Sequence, residues 1–206
     1  MYERYIKRGF DFVAASLMLL LASPVFAVIA IAIKLNSKGP AIFKQKRTGR
    51  NGEIFTMRKF RSMSRDNDVR DNSKCDQITR VGKILRATSL DELPQLINIV
   101  RGDMSFIGPR PWIHSYYENM NSTQRQRYNV RPGITGLAQA YGRNNLSIHE
   151  KISYDLDYVD NMSLLGDIKV IFVTIKTLFE PSGNTIGKGG IHEELSELKQ
   201  QNEVVA

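Results

Sequence analysis

From Phe12 to Ile33 every position is apolar or small except Ser16, Ser23 and Pro24. A helix of that length covers about 33 Å at 1.5 Å per residue, enough to cross the hydrocarbon of a bilayer. Gly39-Pro40 then opens a different pattern, and residues 41–60 read as short strands around Gly49-Arg50-Asn51-Gly52. Asn51-Gly52 is a strong turn signal, so a β-hairpin is predicted there. Residues 64–73 carry three Asp, two Arg and two Asn without an apolar period, the pattern of an exposed loop. Between Arg80 and Val100, Val81, Ile84 and Leu85 recur at helical spacing, while Arg80, Lys83 and Arg86 line one broad basic face. Leu164, Leu165, Ile168, Ile171, Phe172, Ile175, Leu178 and Phe179 trace one face of a later helix. Core packing is one reading of that face and contact with a membrane interface the other. After Pro181-Ser182-Gly183 the chain turns polar, with Ile191, Leu195 and Leu198 at helical spacing among Glu193, Glu194, Glu197 and Glu203. A mobile tail or a short partner helix is expected.

The flanks of the apolar run conflict with a simple span. Arg4, Lys7 and Arg8 precede it, and Lys34, Lys38, Lys44, Lys46 and Arg47 follow it, so the positive-inside rule puts both ends on the cytoplasmic side. Ser23-Pro24 lies mid-run, where proline removes a backbone donor and clashes with the preceding turn, and where Ser23 can bond a carbonyl so freed. A bent, re-entrant helix satisfies both facts; a transmembrane helix with a proline kink remains the rival. The run is longer than an ordinary signal core, and no small-residue cleavage pattern precedes the basic segment after it. The segment is expected to persist in the mature protein.

Composition narrows the partners. The 206 residues are 42% apolar, enough for a folded core, and carry a net charge of +8 from 29 Lys and Arg against 21 Asp and Glu. That balance favours an anionic partner: nucleic acid, lipid headgroups or a nucleotide. Nucleic acid is disfavoured by the membrane segment and by the absence of a basic-aromatic recognition motif. Cys75, the single cysteine, rules out an internal disulfide and reads as a free surface thiol. His114, His149 and His192 are scattered, outside any zinc-binding spacing.

The strongest chemical signal is the adjacent acidic pair in Ser89-Leu90-Asp91-Glu92-Leu93-Pro94-Gln95, set among cations. Ser89-x-x-Glu92 also matches a helix capping box, in which serine caps and glutamate reaches back. With Ser89 as the cap, however, Pro94 becomes the fifth helical residue, where an N–H is needed. A helix starting one to three residues later removes that conflict and leaves both carboxylates at its positive end. An ionised aspartate can attack phosphorus, and a neighbouring glutamate can hold Mg²⁺. Arg110, between Pro109 and Pro111, is a guanidinium on a stiff loop suited to an oxyanion, and Arg131-Pro132-Gly133 makes a second such turn. Either could also be simple turn chemistry.

Five ordered segments resemble the small monotopic phosphoglycosyl transferases, the bacterial sugar transferase family, over nearly the full length. They are the basic N-terminus before the Ser23-Pro24-broken run, Lys59-Phe60-Arg61-Ser62-Met63, Ser89 to Gln95, Gly102 to Pro111, and Arg131 to Gln139. The resemblance implies an enzyme at the cytoplasmic face of the bacterial inner membrane. It would transfer a sugar 1-phosphate from a UDP-sugar to a polyprenyl phosphate such as undecaprenyl phosphate, releasing UMP, at the start of surface glycan synthesis. Asp91 would be the nucleophile and Glu92 the Mg²⁺ ligand. Arg86 and Arg110 would neutralise phosphate charge, and Lys59, Arg131, Arg143 and Asp155 come in by position. The last three of these have a structural reading of equal standing.

The expected fold is α+β, helix-rich with a small β-hairpin, a monotopic membrane protein with interfacial amphipathic helices. Residues 1–38 would form the re-entrant membrane helix, 39–180 the cytoplasmic catalytic domain and 181–206 a polar C-terminal tail. Membrane lipids, the UDP-sugar and polyprenyl phosphate are the partners this implies. The alternative class is a non-enzymatic membrane-anchored adaptor with a basic lipid-binding surface, in which Asp91-Glu92 is only a cap. Which UDP-sugar is used, which glycan is made and the oligomeric state are left open by the sequence.

Overall fold

The computed structural model describes residues 1–64, 78–142, 146–179 and 191–205. Most of the loop expected at 64–73, Cys75, Arg143 and the start of the C-terminal tail lie outside them. The described residues form a helix-rich α+β protein with two small sheets and one long apolar N-terminal helix. A turn of π-helix, Tyr2–Lys7, runs into α1 (Arg8–Asn36), followed by β1 (Ile42–Thr48) and β2 (Ile54–Phe60). These two strands pair across Arg50–Gly52, where Asn51 adopts a left-handed φ of 55°, so the hairpin and its Asn-Gly turn form where predicted. Contacts divide the chain into a smaller unit, residues 11–45 and 56–102, and a larger unit, residues 1–10, 46–55 and 103–206.

In the smaller unit, α1 is buried at four positions, Asp11 and Ala15 in its first half and Ile29 and Ile33 in its second. Ile29 and Ile33 are buried with Phe60 of β2 and Leu85 of α2 (Arg80–Ala87), and the Phe26 ring lies 5.2 Å from that of Phe60. Leu20 and Leu21 are 71% and 70% exposed, so much of the helix's apolar surface has no protein cover. Helix Tyr2–Asn36, with a mean hydropathy of 2.5 in its most apolar window, is long and apolar enough to cross a membrane. α1 runs through Pro24 as one helix. Pro24 has no N–H for the carbonyl of Leu20, and the Ser23 hydroxyl donates to that oxygen at 2.8 Å. Beyond α1, the Arg61 guanidinium donates to the Ser37 carbonyl and hydroxyl at 2.8 and 2.9 Å, placing a cation where helix carbonyls run out of donors.

The helical material at 80–100 is two helices. α2 is capped by the Thr79 hydroxyl, which accepts from the Gly82 N–H at 2.9 Å. α3 (Gln95–Arg101) starts later than the sequence implied, because Pro94 occupies its N-cap, where a missing N–H costs nothing. Between the two helices, Leu90–Glu92 form a 3₁₀ turn.

The larger unit contains β3 (Ser105–Ile107) and β4 (Gly133–Thr135), a parallel pair in register Ser105 to Gly133 and Ile107 to Thr135. Both strands fall in segments that the sequence marked only as glycine- and proline-rich turns. The pairing continues past the strands, with Gly108 N–H donating to Thr135 at 2.9 Å and Gly133 N–H to the Pro109 carbonyl at 3.0 Å. A Cβ on Gly108 or Gly133 would collide with the opposite backbone, so this approach requires glycine. One core cluster gathers Ile107 and Val130 with residues of α6 (Leu137–Tyr141), α7 (Ile148–Asp160) and α8 (Leu164–Phe179). A second gathers Tyr116 of α4 (His114–Glu118), Met120, Tyr128, Ile148, Ile152 and Leu198 of α9 (Ile191–Val205). α5 (Ser122–Arg125) carries a formed capping box, Asn121 with Gln124.

α8 turns the opposite way from the core-packed reading of its apolar stripe. Val170 is buried at 1% and Val173 joins the core, while Leu164, Leu165, Ile168, Ile171, Phe172 and Ile175 are all exposed. Asp167 is buried and ion-paired with Lys7 at 2.6 Å. Tyr2 and Tyr158 donate to the same carboxylate at 2.6 and 2.7 Å, so the charge is fully solvated by protein groups.

Candidate active site

The smaller unit brings four of the sequence-derived residues together. Lys59 near the end of β2 places its ammonium 2.5 Å from Glu92 Oε1, with both side chains about four-fifths buried at 18% and 20% exposure. Asp91 lies beside them, and its carboxyl is raised from the ordinary value. Burial is the main cause and Glu92 adds to it, while Lys59 and Arg86 pull in the other direction. Arg86, on α2, is oriented by a hydrogen bond from its Nε to Ser62 Oγ at 2.9 Å. The helix that carries it fits against the backbone of Ser62 at Gly82, where a Cβ would collide.

The capping-box reading of Ser89 and Glu92 does not survive. Ser89 takes a left-handed φ of 56° and its side chain makes no cap hydrogen bond, while the Glu92 carboxylate faces Lys59. A left-handed serine is uncommon and costs free energy, and such positions cluster at functional sites. The acids stand on the 3₁₀ turn before α3, three residues or more ahead of its first residue, and not in its first turn.

Asn98 is the residue that sequence reasoning missed. It is fully buried on α3, where its amide nitrogen donates to the Thr56 carbonyl at 2.8 Å and its oxygen accepts from the Arg58 N–H at 3.2 Å. This is a sheet-like pair of hydrogen bonds from a side chain to β2, and it sets α3 against the strand one residue from Lys59. Its signal was present: a lone amide inside the apolar run Leu96-Ile97-Asn98-Ile99-Val100. Ser62 was noticed only as part of the Lys59 to Met63 segment.

Arg110, Arg131 and Asp155 belong to the larger unit; Arg143 lies outside the described residues. The Arg110 side chain is exposed and its carbonyl accepts from Arg127 Nη2 at 2.9 Å. Arg127 is completely buried against Asp155, with bonds of 2.9 and 2.5 Å to Oδ2. Its guanidinium lies 3.9 Å over the Trp112 ring and 4.8 Å over that of Tyr128. Asp155 therefore acts on Arg110 through Arg127, a partner with no sequence signal of its own. Arg47 is the other cation here: burial, then the nearby charge of Arg110, lowers its pKa to about 10. Arg131 is half-buried, its carbonyl close to Gly108.

The donor set suits a metal that needs few protein ligands. Among the described residues no cluster of three or more His, Cys, Asp or Glu occurs, which does not fit an all-protein cage. Mg²⁺ is held through one or two carboxylates plus substrate phosphates and water, and an adjacent Asp-Glu pair fits that pattern. In this structure the Glu92 carboxylate is paired with the Lys59 ammonium.

Comparison with known proteins gives the family of the chain. Residues 2–181 match the family model described as bacterial sugar transferase. An uncharacterized sugar transferase, EpsL, of Bacillus subtilis is 38% identical over 180 residues, covering 86% of this chain and 89% of the relative. A UDP-glucose:undecaprenyl-phosphate glucose-1-phosphate transferase of Caulobacter vibrioides is 42% identical, covering 84% of this chain and 69% of the relative. The Escherichia coli protein of the same name is 44% identical, covering 84% of this chain and 40% of the relative. The chain belongs to the bacterial sugar transferase family, and it is a phosphoglycosyl transferase enzyme.

Two outcomes are expected. Asn98→Ala leaves the part-buried Arg58 N–H without this partner and the Thr56 carbonyl with the Arg58 guanidinium as its side-chain donor, and should cost roughly 1–3 kcal/mol in urea unfolding. Asp91→Asn should raise the melting temperature at neutral pH. A carboxyl with a raised folded pKa destabilises the fold above that pKa, and the penalty vanishes below the unfolded value of about 3.9. The advantage of the Asn variant should therefore shrink as the pH falls through the carboxylate range, which melting curves across pH would read directly.

Proposed function

We propose that this enzyme transfers a sugar 1-phosphate from a UDP-sugar to undecaprenyl phosphate as the first membrane step of a surface glycan. The observation that carries the reading is Asp91, half-buried between Lys59 and Arg86 and adjacent to Glu92. It is supported by relatives whose names specify UDP-glucose and undecaprenyl phosphate.

In the first step an Asp91 carboxylate oxygen attacks the phosphorus bonded to the sugar. The bond to the bridging oxygen of UMP breaks, UMP leaves with that electron pair, and an aspartyl phosphosugar remains. In the second step an oxygen of the lipid phosphate attacks the same phosphorus, the acyl phosphate bond breaks, and the Asp91 carboxylate is regenerated. Lys59 and Arg86 keep Asp91 ionised against its burial and present positive charge to the phosphoryl oxygens. Arg110 is assigned to the phosphates of the donor, held on its two prolines. Arg131, Arg143 and Asp155 are assigned to support of that loop and of the donor. Glu92 would hold Mg²⁺, which when bound with the diphosphate supplies charge neutralisation at the leaving UMP.

One substrate is soluble and the other has its phosphate at a membrane surface, so the reaction belongs at the cytoplasmic interface of the inner membrane. α1 is proposed to enter and leave the lipid on that side, with Ser23-Pro24 as its turning point. The exposed apolar face of α8, flanked by Lys169 and Lys176, is proposed to lie in the headgroup region.

Purified protein with Mg²⁺, undecaprenyl phosphate and UDP-glucose, or another UDP-sugar from a panel, should release UMP. Asp91→Asn should abolish release while remaining folded; unchanged turnover in that variant would sink the nucleophile assignment. Tags at the two termini should be reachable from the cytoplasm only. An N-terminus labelled from outside would replace re-entry by a full span.

A further inference from the structure

The matched family region ends at residue 181, and α9 begins ten residues later, at Ile191. This helix is seated, not loose. Leu198 is 0% exposed in the cluster of Tyr116, Met120, Tyr128, Ile148 and Ile152, and Leu195 packs beside it. On the same side, Glu194 accepts from the Tyr116 hydroxyl at 2.5 Å through Oε2 and from Lys151 Nζ at 2.8 Å through Oε1. A carboxylate on the packed side of an amphipathic helix costs free energy unless it is paired. Here a phenol of α4 and an ammonium of α7 pair it, which fixes one seat for α9 where apolar contacts alone would tolerate several.

From that seat a chain of contacts leads to Arg110. The Tyr116 ring is 5.0 Å from that of Trp112. Trp112 is the face on which the Arg127 guanidinium lies at 3.9 Å, and Arg127 donates to the Arg110 carbonyl at 2.9 Å. The Thr48 N–H also donates to the Trp112 carbonyl at 2.9 Å, so the segment after Arg110 is held from both sides. Pro109 and Pro111 make the loop stiff, and a stiff loop transmits a displacement of Trp112 or Arg127 to the Arg110 guanidinium instead of absorbing it.

We infer that α9 is a brace for the Arg110 loop and that Glu194 is the positioning residue that seats it. Arg110 touches the donor phosphates only under the function proposed above, so the kinetic consequence rests on that reading. Glu194 acts through Tyr116, Trp112 and Arg127, and has no contact with substrate in this scheme.

The test uses the full chain with Glu194→Ala, Glu194→Gln and Leu198→Ala. Two measurements are made: amide hydrogen exchange at residues 110–113, and steady-state kinetics with UDP-sugar and undecaprenyl phosphate varied separately. Glu194→Ala and Leu198→Ala should exchange faster over that segment and raise the donor KM roughly tenfold, the scale expected for a small misplacement of a positioned group. The acceptor KM, and kcat at saturating donor, should stay within about twofold of the parent. Glu194→Gln keeps an oxygen for the Tyr116 hydroxyl and should recover most of both losses. Unchanged exchange and donor KM in the two alanine variants would overturn the inference. So would a joint fall of kcat, both KM terms and melting temperature that glutamine does not rescue, which marks a general stability role. If the parent turns over no UDP-sugar, the reaction reading fails by itself, and the exchange measurement still decides the brace.

Discussion

Asp91 and Glu92 stand on a 3₁₀ turn of three residues, which has too few hydrogen bonds to hold its own shape. Everything that fixes the pair is therefore external to it. The buried Asn98 amide grips the backbone of β2, and that grip puts Lys59 within reach of Glu92. Gly82 lets α2 close on Ser62, and Ser62 aims Arg86. Replacing these supports by a longer, self-sufficient helix would bury the acids' backbone in regular hydrogen bonds and leave no room for the left-handed Ser89 that separates α2 from the turn.

The larger unit solves the same problem with different chemistry. The Arg110 side chain is exposed. Its backbone is held by a guanidinium that is wholly inside, neutralised by Asp155 and flattened on two aromatic rings. A buried charge of this kind tolerates little change of geometry, because losing either partner leaves the other uncompensated.

Legibility in the sequence followed the length of the signal. The twenty-two-residue apolar run, the Asn51-Gly52 hairpin and the helical stripes are long or chemically distinctive, and each corresponds to an element of the structure. β3 and β4 were unreadable because three residues are too few to alternate, and because their pairing is enforced by Gly108 and Gly133 across more than twenty residues of chain. The stripe on α8 was visible but its direction was not. Periodicity says which residues share a face and nothing about whether that face meets protein or lipid. At the site, the charged residues could be named from sequence. Asn98 left only the mark of a lone amide in an apolar run and Arg127 none, since their roles depend on partners 42 and 28 positions away.

The bond from Ser23 to the Leu20 carbonyl has a consequence for how α1 reaches its place. A proline in a lipid-facing helix normally leaves a carbonyl that must find a donor from a neighbouring helix or from water. Here the donor is one residue away on the same strand of chain, so the defect is closed before any tertiary contact exists. The Leu20 carbonyl is therefore not left bare by Pro24, and no companion helix has to supply its donor.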